Sequence, residues 1–257
     1  MTAQHTLKEA RHIGIVACTA DGAALCYRTI CREAERLMGA YAHPEMTLHT
    51  FSLHAYLNLI DRHDWDGVAA LMSRSAAKLA EAGAKLIICP NNTLHRAFDL
   101  VESPVPWLHI AEAVAAEAVR RKFRRVGVIG TGIVMEGSVY SHALDKAGIG
   151  HMLPEAHERT HIDRIIRTEL IAWQFPEDSR AFLRDVIDRL RARGCDAVIL
   201  ACTELPLLIS KDNSALPLLD STRLLAEAAL HQAIPAWRNL GSMEEAPFLT
   251  HSITPTN

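Results

Sequence analysis

Short apolar runs alternate along the chain with longer stretches in which apolar residues recur at helical spacing. The runs His12–Ala17, Arg125–Gly130 and Ala197–Ala201 each predict a buried strand, whereas Gly22–Met38 and Asp178–Arg193 have the periodicity of amphipathic helices. The same reasoning predicts strands at Met46–Ser52, Lys85–Cys89, Val105–Ile110, Gly150–Leu153 and Leu216–Leu219, and helices at Asp66–Ala82, Glu112–Arg121, Met135–Ala147, Ile162–Trp173 and Thr222–Gln232. Alternating strands and helices are typical of an α/β fold with mostly parallel sheets flanked by helices.

An internal repeat divides this pattern into two similar halves. The segment Ile13–Cys18 matches Val126–Thr131 at an offset of 113 residues, and Ala82–Thr93 matches Arg193–Glu204 at an offset of 111 residues. Chance likeness between any two strand–helix units is the alternative interpretation. Because the two offsets are nearly equal and the segments keep their order, we favour duplication, which predicts two pseudo-symmetric lobes.

The repeat also sets the domain bounds that we expect. A first lobe is predicted over residues 10–112 plus 217–233, a second over 113–216, and a C-terminal tail over 234–257, where the pattern is lost. Ligands of parallel α/β sheets bind beyond the carboxyl ends of the strands. The loops after Cys89 and Ala201 lie at such ends, and we expect them to face one another across one cleft. Both loops are expected to open into helices whose backbone N–H groups can hold a carboxylate.

Composition and charge narrow the classes of function. The 257 residues are 49% hydrophobic and 22% charged, with a formal net charge of −3, so a basic surface for nucleic acid or anionic lipid is not expected. The apolar runs fall well short of the roughly 20 residues that cross a bilayer. Since the N-terminal stretch also lacks an apolar signal core, we expect a cytoplasmic protein without a membrane partner.

Cysteine and histidine spacing argue against a metal site. The six cysteines form no C-x-x-C pair, and the 14 histidines show no clustered spacing. In a chain of this size the cysteines are expected to be free thiols in a reducing compartment.

Two loop motifs carry a resemblance to a known family. ACTEL at Ala201–Leu205 follows a buried strand, and NNTLH at Asn91–His95 occupies the equivalent place in the repeat. Together with PWLHIAEA at Pro106–Ala113 and VGVIGTGIVMEGSVY at Val126–Tyr140, they resemble the aspartate/glutamate/hydantoin racemase superfamily, over roughly residues 10–233. Within it, the chain looks most like the cofactor-independent aspartate/glutamate racemases. The resemblance implies an isomerase that needs no cofactor, takes a small carboxylate or amino-acid substrate and is compatible with a homodimer.

The resemblance also implies a mechanism. A racemase of this kind removes the Cα proton from one face of the substrate and returns a proton to the other, and family members usually use two cysteines, one from each lobe. Cys202 matches one of them, and Glu204 is either an orienting partner for the thiol or the substrate ammonium, or a carboxylate stabilised by a helix dipole. The equivalent position in the first lobe is Asn91, which cannot take a proton near neutral pH.

Asn91 therefore departs from the two-thiol pattern. The predicted catalytic set is Cys202, Asn91 and Glu204, with the second face served by a water held by Asn91, by Cys89, or by no group. The predicted substrate-binding residues are Asn92, Thr93, Thr203, Thr131, Cys18 and Ser52. Their ordinary alternatives are helix caps for the threonines, a small buried residue for Cys18 and a surface loop for Ser52.

The resemblance and these residues leave three classes of function open. The leading hypothesis is a cofactor-independent racemase of an acidic amino acid such as aspartate or glutamate. The superfamily that the chain resembles also contains cofactor-free decarboxylases with a single cysteine, which protonate an enediolate from one side only, and isomerases of unsaturated diacids. The third class is a ligand-binding homologue without turnover. The side chain and the handedness of the substrate are left open.

Overall fold

The computed structural model describes residues 10–234 of the chain. The described residues divide into two units, one formed by residues 10–110 with 225–234 and the other by Ala111–Leu224. Each unit contains a four-stranded sheet whose neighbouring strands all run parallel, flanked by helices. The predicted α/β class is therefore confirmed. Within residues 10–234, no helix combines the length and the apolar character needed to span a membrane.

The first unit is built on β1, which is buried along its whole length. Its elements are β1 (Ile13–Ala17), α1 (Ala20–Met38), β2 (Met46–Thr50), α2 (Leu53–Asp61), α3 (Trp65–Glu81), β3 (Leu86–Ile88), a 3-10 helix (Thr93–Leu100) and β4 (Trp107–Leu108), with the strand order β2-β1-β3-β4. Continuous burial of β1 matches its unbroken apolar sequence, because a strand covered on both faces has no polar side. Thr19 caps α1 by accepting from the N–H of Gly22, and Gly39 ends it at a positive φ of 99°.

The second unit repeats this arrangement with β5 in the place of β1. Its elements are α4 (Ile110–Arg120), β5 (Arg125–Gly130), α5 (Gly132–Glu136), α6 (Ser138–Lys146), β6 (Gly150–Met152), α7 (Ala156–Thr168), a 3-10 helix (Leu170–Ala172), α8 (Glu177–Ala192), β7 (Ala197–Ala201), a 3-10 helix (Leu205–Leu207), β8 (Leu218–Asp220) and α9 (Ser221–Ala233), with the strand order β6-β5-β7-β8. The first residue of α4 and the greater part of α9 belong to the first unit.

The strand register reproduces the repeat that the sequence predicts. Ile13 pairs with Leu86 in the first sheet, and Val126 pairs with Ala197 in the second, which are the partners that the two offsets require. The two units therefore share both strand order and residue-level register.

The turns between elements repeat as well. Ser103 Oγ donates to the carbonyl oxygen of Val105 at 2.6 Å, and Ser214 Oγ donates to that of Leu216 at 2.8 Å. Each of these serines lies at the same distance along the chain before its edge strand, β4 or β8. The repeat therefore includes local hydrogen bonds as well as the apolar strands.

Several predicted bounds were wrong. Residues 217–224 were expected in the first lobe, but Leu218 pairs with Val198 of β7 and the neighbouring Leu219 is fully buried in the core of the second unit, so this segment belongs there. The chain passes from the first unit to the second after Ile110, and not after residue 112 as predicted. Of the predicted tail, all but Ile234 lies outside the described residues.

The structure differs from the predicted elements at three places where the sequence pattern only weakly marks a helix or strand boundary. The helix expected at Met135–Ala147 is interrupted at Gly137, whose backbone is extended, and forms α5 and α6. Helix α2 was not predicted, since it has only nine residues and Ser52, its N-cap, makes no side-chain capping bond. The segment Val105–Ile110 forms only a two-residue strand, because Ile110 already begins α4.

Side chains of β7 alternate between the two cores of the second unit. Val198 and Leu200 pack with α7 and α8 residues, whereas Ala197 and Ile199 pack on the opposite face of the sheet. Because side chains in a strand alternate with a period of two, Cys202 continues the first of these faces, and it packs there.

Candidate active site

In the second unit, Cys202 and Thr131 lie at the carboxyl ends of adjacent strands. Gly130 of β5 pairs with Ala201 of β7, so the residues that follow them, Thr131 and Cys202, occupy neighbouring positions at one edge of the sheet. Thr203 and Glu204 continue from Cys202 and are both buried. The structure thus brings together the four site residues predicted in this unit.

The thiol of Cys202 is paired with the carboxylate of Glu204. Cys202 Sγ donates to Glu204 Oε2 at 2.9 Å, and the two residues are only 7% and 3% exposed. Burial raises the pKa of the Cys202 thiol well above its ordinary value, and the negative charge of Glu204 and this hydrogen bond raise it further. The backbone N–H groups of Glu204 and Leu205 act in the opposite direction. The resting group is therefore a protonated thiol with a carboxylate beside it.

The turn after Cys202 is not the helix that we expected. Leu205–Leu207 forms a 3-10 helix of three residues, and the N–H of Leu205 reaches the carbonyl oxygen of Cys202 at 3.3 Å. A single short turn carries little aligned dipole. The contact with the thiol supports the orienting alternative for Glu204 over a carboxylate stabilised by a helix dipole.

Sequence reasoning missed two residues that lie close to this edge. Asp163 of α7 accepts the N–H of Gly132 at 2.7 Å and is paired with Arg167, so it fixes the turn directly after Thr131. Tyr140 of α6 is buried close enough to Cys202 and Asp220 for their charges to raise the pKa of its hydroxyl, which burial raises most. Tyr140 lies within a quoted motif, but a lone apolar-flanked tyrosine is more often a core residue, and no sequence signal separates the two cases.

The first unit places its predicted residues at the corresponding edge. Asn91 follows β3, and its Oδ1 accepts the N–H of Leu94 at 3.1 Å. The pairing of β1 with β3 ends at Ile15 opposite Ile88, and Cys18 follows β1 at the same edge of the sheet. Asn92 is buried and opens a 3-10 helix that begins at Thr93, again in place of an expected α-helix. Ser52 follows β2 at the same edge and is exposed.

Cys89 lies inside the first unit and is fully buried. Burial raises the pKa of its thiol well above its ordinary value, and the nearby Cys18 raises it further. Its carbonyl oxygen lies 3.1 Å from Nε2 of His95, a buried residue whose pKa burial lowers to about 4. His95 is therefore neutral at physiological pH and anchors the loop that carries Asn91. Because the Cys89 thiol is fully buried, it is a poor candidate for the group that exchanges a proton with the second face of the substrate Cα.

Comparison with known proteins decides the family. A family model described as Asp/Glu/Hydantoin racemase matches residues 13–229. The chain belongs to this family. The matched region includes the edge residues of both units, Asn91 and Cys202 among them.

Relatives of known structure share the fold over most of the chain. A candidate Asp/Glu racemase from Yersinia pestis is 30% identical, with a TM-score of 0.80 over 87% of this chain and 99% of that chain. PH1733, an aspartate racemase homologue from Pyrococcus horikoshii OT3, is 27% identical, with a TM-score of 0.76 and the same shares of the two chains. The broad specificity amino-acid racemase RacX of Bacillus subtilis (strain 168) is 24% identical over 172 residues, which are 65% of this chain and 73% of that protein.

More distant structures extend the fold beyond racemases. A cysteine-for-glycine mutant of arylmalonate decarboxylase is 14% identical, with a TM-score of 0.53 over 92% of this chain. At this identity the likeness concerns the fold alone. Membership of the racemase superfamily rests on the family model, and the named homologues are racemases, which are isomerases acting on amino acids.

Within the part of the chain that the structure describes, histidine, cysteine, aspartate and glutamate side chains form no group of three or more suited to a metal ion. The edge of the second unit carries a thiol, a carboxylate and hydroxyls, and the edge of the first unit carries side-chain amides, hydroxyls and a thiol. Groups of the first kind can move a proton, and hydroxyls and amides can bind a carboxylate. That the edges of the two units serve one substrate stays a prediction.

Proposed function

We propose that the protein is a cofactor-independent racemase of an acidic amino acid, with Cys202 as the acid/base on one face of Cα. The observation that carries this proposal is the buried contact of the Cys202 thiol with Glu204 at the carboxyl end of β7. A cysteine that only fills space in a core needs no carboxylate partner, and burying that carboxylate costs free energy. A role in proton transfer accounts for both the buried thiol and the buried carboxylate.

Cys202 acts as an acid in one direction and as a base in the other. When a proton is returned to substrate, the thiol S–H bond breaks and its proton forms the Cα–H bond, leaving a thiolate. In the reverse direction, Glu204 takes the thiol proton, and the thiolate then removes the proton from Cα. The electron pair left on Cα moves into the substrate carboxylate as an enediolate.

Donors at the strand ends would hold that enediolate. Thr131 and Thr203 supply hydroxyls beside Cys202, and Asn92 and Thr93 occupy the equivalent places after β3, with Cys18 and Ser52 further along the same edge. Asn91 supplies only an amide: with its Oδ1 taken by Leu94, its N–H₂ group is the part left for substrate or a water. Donors of this kind stabilise charge that develops during proton abstraction.

The absence of a titratable side chain at position 91 favours a second candidate function. With Cys202 alone, protonation from one side suits a decarboxylase or a diacid isomerase equally well. The fold shared with arylmalonate decarboxylase is compatible with this alternative. The two candidates differ in how many faces of Cα exchange protons with solvent.

Exchange in D₂O tests the proposal. The purified protein is incubated with L- and D-aspartate and with L- and D-glutamate, and deuterium at Cα is followed by NMR together with the enantiomer ratio. We expect label in both enantiomers of one of these amino acids, and loss of exchange in Cys202→Ser. Cys26→Ala is the matched control, because Cys26 is fully buried in α1 of the first unit and should leave exchange unchanged.

The outcomes separate the candidates. Label confined to one enantiomer points to one-sided chemistry and against a racemase. Exchange at the wild-type rate in Cys202→Ser would remove Cys202 from the mechanism, and the absence of any exchange would refute a racemase of aspartate or glutamate.

A further inference from the structure

The second unit contains a cavity of about 290 Å³ that none of the predicted site residues lines. It lies between β8 and the chain that follows the 3-10 helix Leu205–Leu207. Its size is at the lower end of the roughly 300–1,000 Å³ of small-molecule sites. The lining residues are Leu200, Pro206, Ile209, Ser210, Lys211, Leu218, Asp220 and Arg223.

The floor of this cavity is apolar and its mouth is charged. Leu200, Pro206, Ile209 and Leu218 supply the apolar surface. An apolar floor of four such side chains gains free energy when a hydrocarbon group displaces water from it. The floor therefore selects for an apolar body rather than a polar one.

The charges at the mouth do not cancel. Asp220 is fully occupied: one oxygen accepts the N–H groups of Thr222 and Arg223 at 3.1 Å each, and the other is paired with the Arg223 guanidinium. Arg223 is thereby neutralised. Lys211 is exposed and makes no hydrogen bond or ion pair with any of residues 10–234. One uncompensated positive charge remains beside an apolar floor.

From this arrangement we propose that the cavity binds a small apolar monocarboxylate, with its hydrocarbon chain on the floor and its carboxylate at Lys211. An acidic amino acid does not fit, since its second carboxylate would be buried on apolar side chains without a partner. A neutral apolar molecule would gain nothing from the ammonium of Lys211, which water already solvates, whereas a carboxylate would gain an ion pair. Cys202 does not line the cavity, and the proposal is independent of the proposed racemase activity.

Binding is measured on the full chain by NMR of isotope-labelled isoleucine and leucine methyl groups. The probes are 4-methylpentanoate, its neutral analogue 4-methylpentanamide, and L-aspartate. We expect saturable shifts of the Ile209 and Leu218 methyl groups with 4-methylpentanoate, binding of the amide that is weaker by about two- to fivefold, and no shift at these methyl groups with L-aspartate. The Cys202→Ser variant should bind the acid as the wild type does.

Two variants make the test sharp. Lys211→Gln should weaken binding of the acid about two- to fivefold while leaving the amide unaffected, and Leu218→Trp should fill the cavity and abolish binding. Lys146→Gln is the matched control, because Lys146 is an exposed lysine of the same unit that does not line the cavity.

Several results would overturn the proposal. They are the absence of methyl shifts at 20 mM acid (roughly the weak limit for a ligand of this size), equal affinity for the acid and the amide, and unchanged affinity in Lys211→Gln. Since Lys211→Gln changes only an exposed side chain, the test does not depend on Leu218→Trp folding.

Discussion

Replacing Glu204 with glutamine should make Cys202 more acidic. In the wild type, burial raises the pKa of the thiol most, and the negative charge of Glu204 and the hydrogen bond to its Oε2 add to the shift. Glutamine has nearly the same shape, but it has no charge to repel a thiolate. The substitution leaves the burial of the thiol and the backbone N–H groups of the turn unchanged. Loss of the negative charge is the remaining effect, and it lowers the pKa of Cys202.

The size of the effect follows from the geometry. Sγ and Oε2 are 2.9 Å apart in a pair that is almost fully buried. Two like charges about 4 Å apart repel by about 4 kcal/mol at an effective dielectric constant of about 20. Because 1.36 kcal/mol corresponds to a factor of ten, full loss of this repulsion would raise the thiolate fraction at a fixed pH by about a thousandfold. Relaxation of the pair in the wild type reduces this, and we expect an increase of between about 10- and 1,000-fold.

The assay is alkylation of Cys202 by iodoacetamide, followed by mass spectrometry of the Cys202 peptide from about pH 7 to about pH 11. The range extends upward because the pKa of the wild-type thiol lies well above the ordinary value of about 8.5. The midpoint of the rate profile reports the pKa independently of how accessible the thiol is. Glu136→Gln serves as the matched control, because Glu136 is an exposed carboxylate of the same unit paired with Arg159. A midpoint in Glu204→Gln that equals the wild-type value, or lies above it, would refute the role we give to Glu204.

Three further predictions concern the scaffold around the site. Gly130→Ala should cost about 1–3 kcal/mol in urea unfolding, since its Cβ would lie 2.7 Å from the carbonyl oxygen of Ala201, whereas Gly132→Ala, with its nearest contact at 3.5 Å, should stay within about 0.5 kcal/mol. Burial lowers the pKa of His95 from 6.5 to about 4, so its neutral form stabilises the fold above pH 6.5 and that contribution is lost as the pH falls toward 4. The wild type should therefore lose about 2 kcal/mol more than His95→Gln between pH 7 and pH 5, and equal losses would contradict the assignment. Asn91→Ala removes the acceptor of a turn and should cost about 1 kcal/mol, whereas Asn91→Asp keeps it and should be close to the wild type in the same unfolding assay.

The fold could be predicted from the sequence because its strands are buried on both faces. A run such as Ala197–Ala201 has no polar position, and β7 forms over these same residues. The repeat could also be predicted from the sequence. The apolar strands match at offsets of 113 and 111 residues, and the strand pairs of the two sheets have the register that these offsets require. Where the prediction failed, the information was tertiary. The placement of β8 depends on its pairing with β7, which three residues of sequence do not specify.

The positions of the candidate residues at the strand ends could be predicted from the sequence, whereas their contacts could not. Strand ends indicate where Cys202 and Asn91 lie, because parallel strands direct their carboxyl ends to one edge. The partner of the thiol could be named only as an alternative, since Glu204 lies two residues away on an irregular turn whose geometry no periodicity describes. Asp163 and Tyr140 reach the edge from helices α7 and α6 and are separated from Cys202 by dozens of residues. Their side chains look ordinary in sequence.

Positions 91 and 202 are equivalent in the repeat, and the turn that follows each of them is closed by a different acceptor. In the first unit, Oδ1 of Asn91 accepts the N–H of Leu94, three residues on. In the second, the N–H of Leu205, also three residues on, reaches the carbonyl oxygen of Cys202 at 3.3 Å. A side-chain oxygen therefore serves in one unit where a backbone oxygen serves in the other, and asparagine commonly bonds to backbone N–H groups of this kind. This leaves the Cys202 thiol to its contact with Glu204, whereas the amide of Asn91 supplies no titratable group. Because each turn has its own acceptor, we expect the difference between the two units to concern proton transfer rather than the shape of the turn.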